Sequence, residues 1–258
     1  MQLIAADIGN NSIKLAVHAD PIEGRWCDQY VYGPSQPIQL DLARTPAIWA
    51  ISSVNSSGLD RLNRWIKEHR TADRIHLISQ QEVPIKTNVS QRSRVGCDRL
   101  LGAWAALKLC DNQGPLVVID LGTAVTTDFV NEYEVFEGGL IFPGAQTSLA
   151  YLSHAADALP DLSSPDQLKM VGNLDRELFG RDTETAMLLG VYQALLGGLR
   201  HIVERMTVDL EKNCPVYVTG GGALALEKYL PPQWKLVPDL VLRGAREIGM
   251  NLLREHAT

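Results

Sequence analysis

A short polar turn occurs twice in this chain, each time after an apolar run and before a second β-like run. The first copy is 7–17 (DIGNNSIKLAV) and the second is 120–130 (DLGTAVTTDFV). Each copy predicts a strand that ends at an aspartate, a turn rich in Gly, Asn, Ser and Thr, and a returning strand. The two aspartates, Asp7 and Asp120, lie a little under half the chain apart. The repeat therefore predicts two related half-domains that face each other across a cleft.

Strand and helix patterns alternate on both sides of residues 111–115. Apolar periodicity predicts strands at 3–6, 13–18, 26–32, 47–52, 74–79, 116–119, 124–130, 133–141, 216–219 and 235–237, and helices at 58–70, 98–110, 148–158, 183–206, 223–229 and 240–256. The segments 79–95 and 159–173 are predicted as loops. This alternation favours an α/β fold with half-domains 1–112 and 113–258, and the 258 residues suffice for a substantial core.

Charge and cysteine content disfavour several classes of protein. The formal net charge is −6, so a nucleic-acid backbone is not expected as the partner. The cysteines are scattered at Cys27, Cys97, Cys110 and Cys214, which argues against a zinc site or a disulfide scaffold. The first residues lack a leader pattern, and no apolar run approaches the length of a membrane span. We expect a cytoplasmic protein with no membrane partner.

The composition of the two turns suits phosphate and cation binding. Gly, Asn, Ser and Thr let backbone N–H groups approach an anion, and the hydroxyls of Ser12, Thr123 and Thr126 could donate further hydrogen bonds. Asp7 and Asp120 suit a cation, held directly or through water. An ordinary hairpin also favours Asp and Gly, and would be the better interpretation of either turn alone. Two such turns in register favour phosphate binding.

A second polar group opens the helix predicted at 98–110. In the segment Gly96–Arg99, the carboxylate of Asp98 could accept a proton from a substrate hydroxyl. The neighbouring Arg99 could hold a substrate carboxylate through two parallel hydrogen bonds. The alternative is a plain helix N-terminus, where an acidic residue in the first turn is common.

Glycine-containing turns occur at three further places, 137–144, 180–183 and 219–222. Paired glycines at the end of a strand allow close backbone approach, and Pro-Gly favours a turn before a helix. Thr183 could cap the helix that follows it, or offer its hydroxyl to a ligand. The Gly-rich turn at 219–222 joins a strand to a helix, which is a usual place for a nucleotide.

Together these segments resemble the type III pantothenate kinases, the family that also includes the Bvg accessory factor proteins. That family belongs to the superfamily of acetate and sugar kinases, heat-shock chaperone ATPases and actin. Five motifs follow the family order over nearly the whole chain: D-x-G-N at 7–10, G-x-D-R at 96–99, D-x-G-T-A-x-T at 120–126, G-G-x-x-x-P-G at 138–144 and T-G-G at 219–221. The resemblance implies a duplicated actin-like ATPase fold, ribonuclease H-like in each half, around a nucleotide cleft.

The resemblance also implies an activity and a set of site residues. The activity is ATP-dependent phosphorylation of pantothenate to 4′-phosphopantothenate, the first step of coenzyme A biosynthesis. For ATP and its phosphates it implies Asp7, Ile8, Gly9, Asn10, Asn11, Ser12, Ile13, Lys14, Thr123, Gly220 and Gly221. For pantothenate it implies Gly96, Cys97, Asp98, Arg99 and Thr183, with Asp98 as the general base.

Metal ions and a second subunit are implied in the same way. Asp120 is expected to bind a monovalent cation, K⁺ or NH₄⁺, and Asp7 is expected to hold the Mg²⁺ of the nucleotide through water. The family resemblance further implies a homodimer in which the partner subunit helps to form the pantothenate pocket.

Six positions depart from the family pattern, mostly on the pantothenate side: Asn11, Val89, Arg92, Val95, Gly102 and Asp182. They leave two alternatives open. One is a kinase of the same fold for another small hydroxy acid. The other is a non-catalytic nucleotide-binding regulatory protein, against which the presence of both Asp98 and Asp120 argues.

Overall fold

The fold divides into two units, each built around one of the two strands that end at an aspartate. The structure, a computed structural model, describes residues 1–18, 26–43, 45–111, 113–164, 166–167 and 176–255. The first unit comprises residues 1–112 and the segment that begins at Asp239, and the second comprises Gln113–Pro238. The sequence predicts the last segment as part of the second half, whereas its contacts are with the first.

The central strand of the first unit is β1 (Gln2–Ile8). Its sheet contains β2 (Ile13–His18), β3 (Trp26–Tyr32), β4 (Ala47–Ser53) and β5 (Arg74–Leu77), in the order β3-β2-β1-β4-β5. Strands β1, β2 and β3 are antiparallel neighbours, and β4 is parallel to both β1 and β5. Residues Leu3 to Ile8 are almost wholly buried, except that Asp7 is 9% exposed. A strand covered on both faces accounts for the continuous apolar run that leads to Asp7.

Helices cover this sheet and position its functional residues. They are α1 (Ser56–His69), α2 (Cys97–Leu109) and the C-terminal helix α6 (Leu240–Glu255). Asn55 caps α1 by accepting a 3.0 Å hydrogen bond from the Gly58 N–H, so that helix begins two residues before its predicted start. The predicted loop 79–95 contains the short strand β6 (Lys86–Thr87) and one 3₁₀ turn (Arg92–Arg94).

The second unit repeats the strand order of the first. Its strands are β7 (Leu116–Leu121), β8 (Ala124–Val130), β9 (Val135–Pro143), β10 (Val216–Thr219) and β11 (Lys235–Leu236), in the order β11-β10-β7-β8-β9. Here too three strands, β7, β8 and β9, are antiparallel neighbours, and β10 is parallel to both β7 and β11. Strands β7 and β1 therefore hold equivalent central positions, and the duplication that the sequence predicts is confirmed.

Two helices inserted between β9 and β10 distinguish the second unit. They are α3 (Ala145–Ala155) and α4 (Thr183–Thr207), and a short helix, α5 (Ala223–Leu226), follows β10 before a 3₁₀ turn (Glu227–Tyr229). Helix α3 begins three residues before its predicted start, because the Gly144 carbonyl already accepts a hydrogen bond from the Ser148 N–H. Part of the predicted loop 159–173 and the predicted helix end at residue 256 lie outside the described residues.

Helix α4 is long and apolar enough, by length and composition alone, to cross a membrane. The prediction that no apolar run reaches this length is therefore wrong for α4. Its residues Leu188, Leu196 and Leu199 are at most 3% exposed and belong to the core of the second unit. Core packing accounts for the apolar character of that face.

Helix α6 packs closely on the first unit through two glycines. A Cβ atom on Gly244 would lie 2.6 Å from the carbonyl oxygen of Leu101, and one on Gly249 would lie 2.4 Å from a methyl group of Leu3. These approaches explain why the last segment of the chain belongs with β1, β4 and α2.

We predict that Gly244→Ala lowers the free energy of unfolding by roughly 1–3 kcal/mol, because the new methyl group meets a backbone carbonyl that cannot turn away. Urea denaturation measures the effect. The matched control is Gly197→Ala in α4, where a Cβ atom would have nothing within 4 Å. That variant should gain about 0.5–1 kcal/mol from the lower backbone entropy of its unfolded chain. Equal effects of the two substitutions would contradict the close packing of α6.

Candidate active site

The first polar turn joins β1 to β2 and is held by its own backbone. The Gly9 N–H donates a 3.0 Å hydrogen bond to the Ser12 carbonyl, and Asn10 and Asn11 are exposed at the tip. The side chains of Ile8 and Ile13 lie in the core, at 0% and 2% exposure. Those two isoleucines can therefore contribute to a ligand site only through their main-chain groups.

Asp7 and Lys14 face each other across this turn. They are cross-strand partners in the β1–β2 register, and the Lys14 Nζ lies 3.8 Å from the Asp7 Oδ2. Burial raises the pKa of Asp7 from 3.8 to about 6; the Lys14 charge opposes that shift and the Asp98 charge adds to it. A bound cation would favour the ionised carboxylate, so this environment suits a cation that arrives with a ligand.

Asp98 is the second residue of α2, two positions after Gly96, which precedes the first residue of the helix. Its Oδ1 accepts a 2.9 Å hydrogen bond from the Arg99 backbone N–H, and a Cβ atom on Gly96 would lie only 2.3 Å from the same oxygen. Burial raises the pKa of Asp98, and the hydrogen bond and charge of Arg99, with the charge of Lys14, act in the opposite direction. The structure thus brings Asp7, Lys14 and Asp98 into one electrostatic group.

The side chain of Cys97 is buried in the core. It is 3% exposed, and its Sγ donates a 3.6 Å hydrogen bond to the Ile78 carbonyl. Burial, together with the nearby charge of Asp98, raises the pKa of the Cys97 thiol to about 12. The thiol is therefore part of the packed core. The prediction that Cys97 binds substrate remains open for its main-chain groups.

The second polar turn surrounds Asp120, which ends β7. In register, Asp120 lies opposite Thr126 of β8 and Thr219 of β10. Gly220 has φ +97°, and a Cβ atom there would lie 2.3 Å from the Asp120 Oδ1. The structure therefore brings the Gly-rich turn after β10 against the Asp120 carboxylate, in an arrangement that a side chain at position 220 would block.

The main chain fixes these turns to one another within the second unit. The Gly222 N–H donates a 2.9 Å hydrogen bond to the Leu121 carbonyl. The Thr123 carbonyl accepts hydrogen bonds from the Gly144 N–H at 2.9 Å and from the Thr147 hydroxyl at 2.7 Å. Gly221 is exposed and has open space where a Cβ would lie, so its main chain is accessible to a ligand.

A buried acid near this turn was missed by sequence reasoning. Asp128 is 1% exposed, and its Oδ2 accepts a 3.4 Å hydrogen bond from the Thr126 hydroxyl. Because side chains alternate along a strand, Thr126 and Asp128 lie on the same face of β8, the face that Asp120 shares. The sequence did carry a signal for Asp128, which lies two residues after Thr126 in a predicted strand and so on the same face.

Thr183 lies exposed in the first turn of α4, but it is not the cap of that helix. The cap is Asp182, whose Oδ1 accepts a 2.8 Å hydrogen bond from the Thr185 N–H. The interpretation of Thr183 as a helix cap is therefore wrong. Its binding to pantothenate stays a prediction.

The carboxylates of the two turns are not arranged as a preformed metal cage. Among the described residues, no three His, Cys, Asp or Glu side chains are grouped so as to hold a metal ion. Mg²⁺ commonly binds through one or two carboxylates together with water and substrate phosphates. Asp7 fits that pattern as a single protein ligand, and Asp120 fits a weakly held cation beside main-chain groups.

Comparison with known proteins places this arrangement in a family. The family model described as type III pantothenate kinase matches residues 3–205. The chain belongs to the type III pantothenate kinase family. A Caulobacter vibrioides protein named type III pantothenate kinase is 30% identical over 260 residues, which cover 96% of this chain and 97% of that protein. A Rhodopirellula baltica protein of the same name is 37% identical over 183 residues, which cover 69% of this chain and 63% of that protein.

Solved structures of low sequence identity share the fold of this pantothenate kinase family member. A Campylobacter jejuni protein described as a Baf family transcriptional activator has a TM-score of 0.59 at 19% identity, and covers 98% of both chains. The activator of 2-hydroxyisocaproyl-CoA dehydratase from Clostridium difficile, solved with bound ADPNP, has a TM-score of 0.53 at 11% identity, and covers 100% of this chain and 97% of that one. Ta0583, an archaeal actin homologue, has a TM-score of 0.50 at 11% identity, and covers 97% of this chain and 100% of that one, so the predicted actin-like fold is confirmed.

We predict that Asp7→Asn stabilises the protein at neutral pH in the absence of Mg²⁺ and nucleotide. The folded state holds the Asp7 proton up to about pH 6, whereas the unfolded chain releases it near 3.8. The wild type therefore loses stability as the pH rises through this range, by about 3 kcal/mol in total. Asn does not titrate, so the advantage of the variant should grow between about pH 4 and pH 7, as measured by urea unfolding.

Asp182→Asn is the control for this pH profile. Hydrogen bonds from Thr185 hold the pKa of Asp182 below its ordinary value, so that group titrates at lower pH. Its difference from the wild type should stay constant between about pH 4 and pH 7. A constant difference for Asp7→Asn as well would contradict the high pKa of Asp7.

Proposed function

We propose that this protein is a pantothenate kinase, which transfers the γ-phosphoryl group of ATP to the primary hydroxyl of pantothenate. The product is 4′-phosphopantothenate, so the reaction opens coenzyme A biosynthesis. The observation that carries the proposal is the Asp98 carboxylate, which accepts a hydrogen bond from the Arg99 backbone and lies in the group that includes Asp7 and Lys14. Relatives named type III pantothenate kinase support it over the full length of the chain.

Asp98 is the proposed general base. Phosphoryl transfer depends mainly on positioning and on neutralising charge, and one base suffices for the acceptor hydroxyl. The carboxylate of Asp98 accepts the proton of the pantothenate hydroxyl as that oxygen attacks the γ-phosphorus. Because burial raises the pKa of Asp98, the carboxyl group holds the transferred proton more firmly than an exposed carboxyl would. Arg99 and the hydroxyl of Thr183 are proposed to bind pantothenate.

The first turn is proposed to hold the phosphates of ATP. Between Gly9 and Ser12, the main chain of Asn10 and Asn11 at the exposed tip offers N–H groups, and the Lys14 ammonium adds a positive charge. Bound Mg²⁺ would neutralise phosphate charge, and Asp7 is the carboxylate that fits it, through water.

The second unit is proposed to bind ATP and a monovalent cation. Gly221 presents exposed main chain with open space around it, the buried Gly220 precedes it in the same turn, and Thr123 offers a hydroxyl at the neighbouring turn. Asp120 is the proposed ligand of K⁺ or NH₄⁺, which would supply positive charge near the nucleotide.

An apolar groove in the second unit supports a homodimer. A cavity of ≈ 630 Å³ lies between the end of β9 and the helices α3 and α4, and its lining includes Phe142, Tyr151, Met187, Val191 and Ala194. Tyr151 is 70% exposed, which is unusual for a large aromatic side chain. We infer that a second copy of the chain covers this groove and helps to form the pantothenate pocket. We place the homodimer in the cytoplasm.

We predict that Asp98→Asn lowers kcat for pantothenate roughly 100- to 10,000-fold while the KM for ATP stays unchanged, because only proton transfer is lost. A coupled assay with ATP, Mg²⁺ and pantothenate measures it, with and without K⁺. The control is Asp60→Asn, a change of the same kind at an exposed position on α1, which should retain wild-type kcat.

Several outcomes of this assay decide between the alternatives. Turnover of another small hydroxy acid without turnover of pantothenate would favour the substrate alternative. Binding of ATP without any turnover would favour a regulatory protein. Wild-type rates that do not depend on K⁺ or NH₄⁺ would contradict the role of Asp120.

We predict that sedimentation equilibrium of the wild type gives twice the 28.4 kDa mass of the chain. Ala194→Lys should shift the mass toward the monomer, because it places a charge in the apolar groove. Leu224→Lys is the matched control, since Leu224 is 64% exposed and does not line the groove. Dissociation by both variants, or a monomeric wild type, would contradict the proposed interface.

A further inference from the structure

The side chain of Arg92 donates hydrogen bonds to three main-chain carbonyl groups. Its Nε donates a 2.9 Å hydrogen bond to the Gln80 carbonyl, and its two terminal nitrogens donate to the Val83 and Ile85 carbonyls at 2.5 and 2.6 Å. A guanidinium presents its donors in a rigid planar fork, so three carbonyls on one segment define its position closely.

The segment that Arg92 holds is also bonded to the beginning of α2. The Gln80 side-chain amide donates a 3.2 Å hydrogen bond to the Val95 carbonyl, and the Cys97 thiol donates one to the Ile78 carbonyl. We call residues 78–85 the support loop. Arg92 lies five residues before Cys97 and, with these two bonds, connects the support loop to the stretch of chain that enters the helix.

Apolar packing fixes the support loop and the residue before Gly96 in place. Val83, Ile85 and Val95 are 1%, 5% and 9% exposed. Buried carbonyl groups in such a place need hydrogen-bond donors. Arg92 supplies a donor for the Ile85 carbonyl and a second one for the Val83 carbonyl, which also accepts a 2.8 Å hydrogen bond from the Ile85 N–H. Loss of the guanidinium would leave these carbonyls without that donor and loosen the loop from the helix entrance.

The position of Asp98 depends on this entrance. The Asp98 carboxylate lies close against Gly96, where a Cβ atom would be 2.3 Å from the carboxylate oxygen. A shift of about 1 Å in a group that acts in the chemical step can reduce a rate about 100-fold. We propose that Arg92 is a positioning residue, which sets the first turn of α2, and with it Asp98, by holding the support loop.

Because this role rests on the proposed kinase function, the test has one readout that does not need activity. Arg92→Met and Arg92→Lys both remove the planar guanidinium group, but Arg92→Lys keeps the positive charge. Amide hydrogen exchange of the nucleotide-free protein should become faster in 78–85 and 96–99 for both variants, and remain as in the wild type in β7 and β8. The control is Arg94→Met, which removes an exposed arginine from the same 3₁₀ turn and should change nothing.

The kinetic readout separates positioning from direct binding. Both variants of Arg92 should lower kcat for pantothenate roughly 10- to 100-fold, with an unchanged KM for ATP and a shifted acid limb of the kcat–pH profile. A raised KM for pantothenate with normal kcat would overturn the proposal in favour of direct contact with the substrate. Faster exchange throughout the chain would overturn the proposal in favour of a general stabilising role for Arg92. A normal kcat in Arg92→Lys would overturn it in favour of a role that needs only the positive charge. A wild type inactive on pantothenate refutes the proposed function, and the exchange result then still decides the role of Arg92.

Discussion

A carboxylate at the end of a buried central strand is the constraint on which each unit is built. In the first unit, β2 and β4 flank β1 and fix Asp7 where burial raises its pKa, and the Lys14 ammonium 3.8 Å away only partly offsets that effect. In the second unit, β8 and β10 flank β7 in the same way, with threonines opposite Asp120 on both sides. Both strands gain rigidity from their neighbours, and each unit therefore holds its acid in a closely defined position, at the cost of placing a carboxylate near its core.

The sequence predicted the parts of the site whose geometry is local. These are the strand–turn–strand that contains Asp7 and Lys14, and the place of Asp98 at the beginning of a helix. The pairing of Asp7 with Lys14 is known only from the structure. Capping of α4 was one of two alternatives given for Thr183, and the cap is Asp182 instead, because both residue types cap well and only the backbone conformation distinguishes them. The bonds of Arg92 could not be predicted, since its partners are carbonyl groups, which every residue carries.

Several motif glycines serve the packing of the chain against itself. A Cβ atom on Gly139 would lie 1.9 Å from the Thr127 carbonyl oxygen, and one on Gly144 would lie 2.2 Å from that of Gly122. Gly220 is constrained by its positive φ and by Asp120, whereas Gly221 has open space around it. A family motif of this kind therefore combines residues that the fold requires with residues that a ligand requires, and spacing alone does not separate the two.

The return of helix α6 to the first unit has a consequence for the order of synthesis. Residues 113–238 leave the ribosome as one continuous stretch. Strands β7 to β11 of the second unit are therefore synthesised before α6, which the first unit needs to be complete. Leu3 and Ala50, which contact Gly249, and Leu101, which contacts Gly244, are made early and stay without their helix until α6 emerges. The apolar surface that α6 covers thus stays open while residues 113–238 are synthesised, and the first unit cannot be completed before the second has been made.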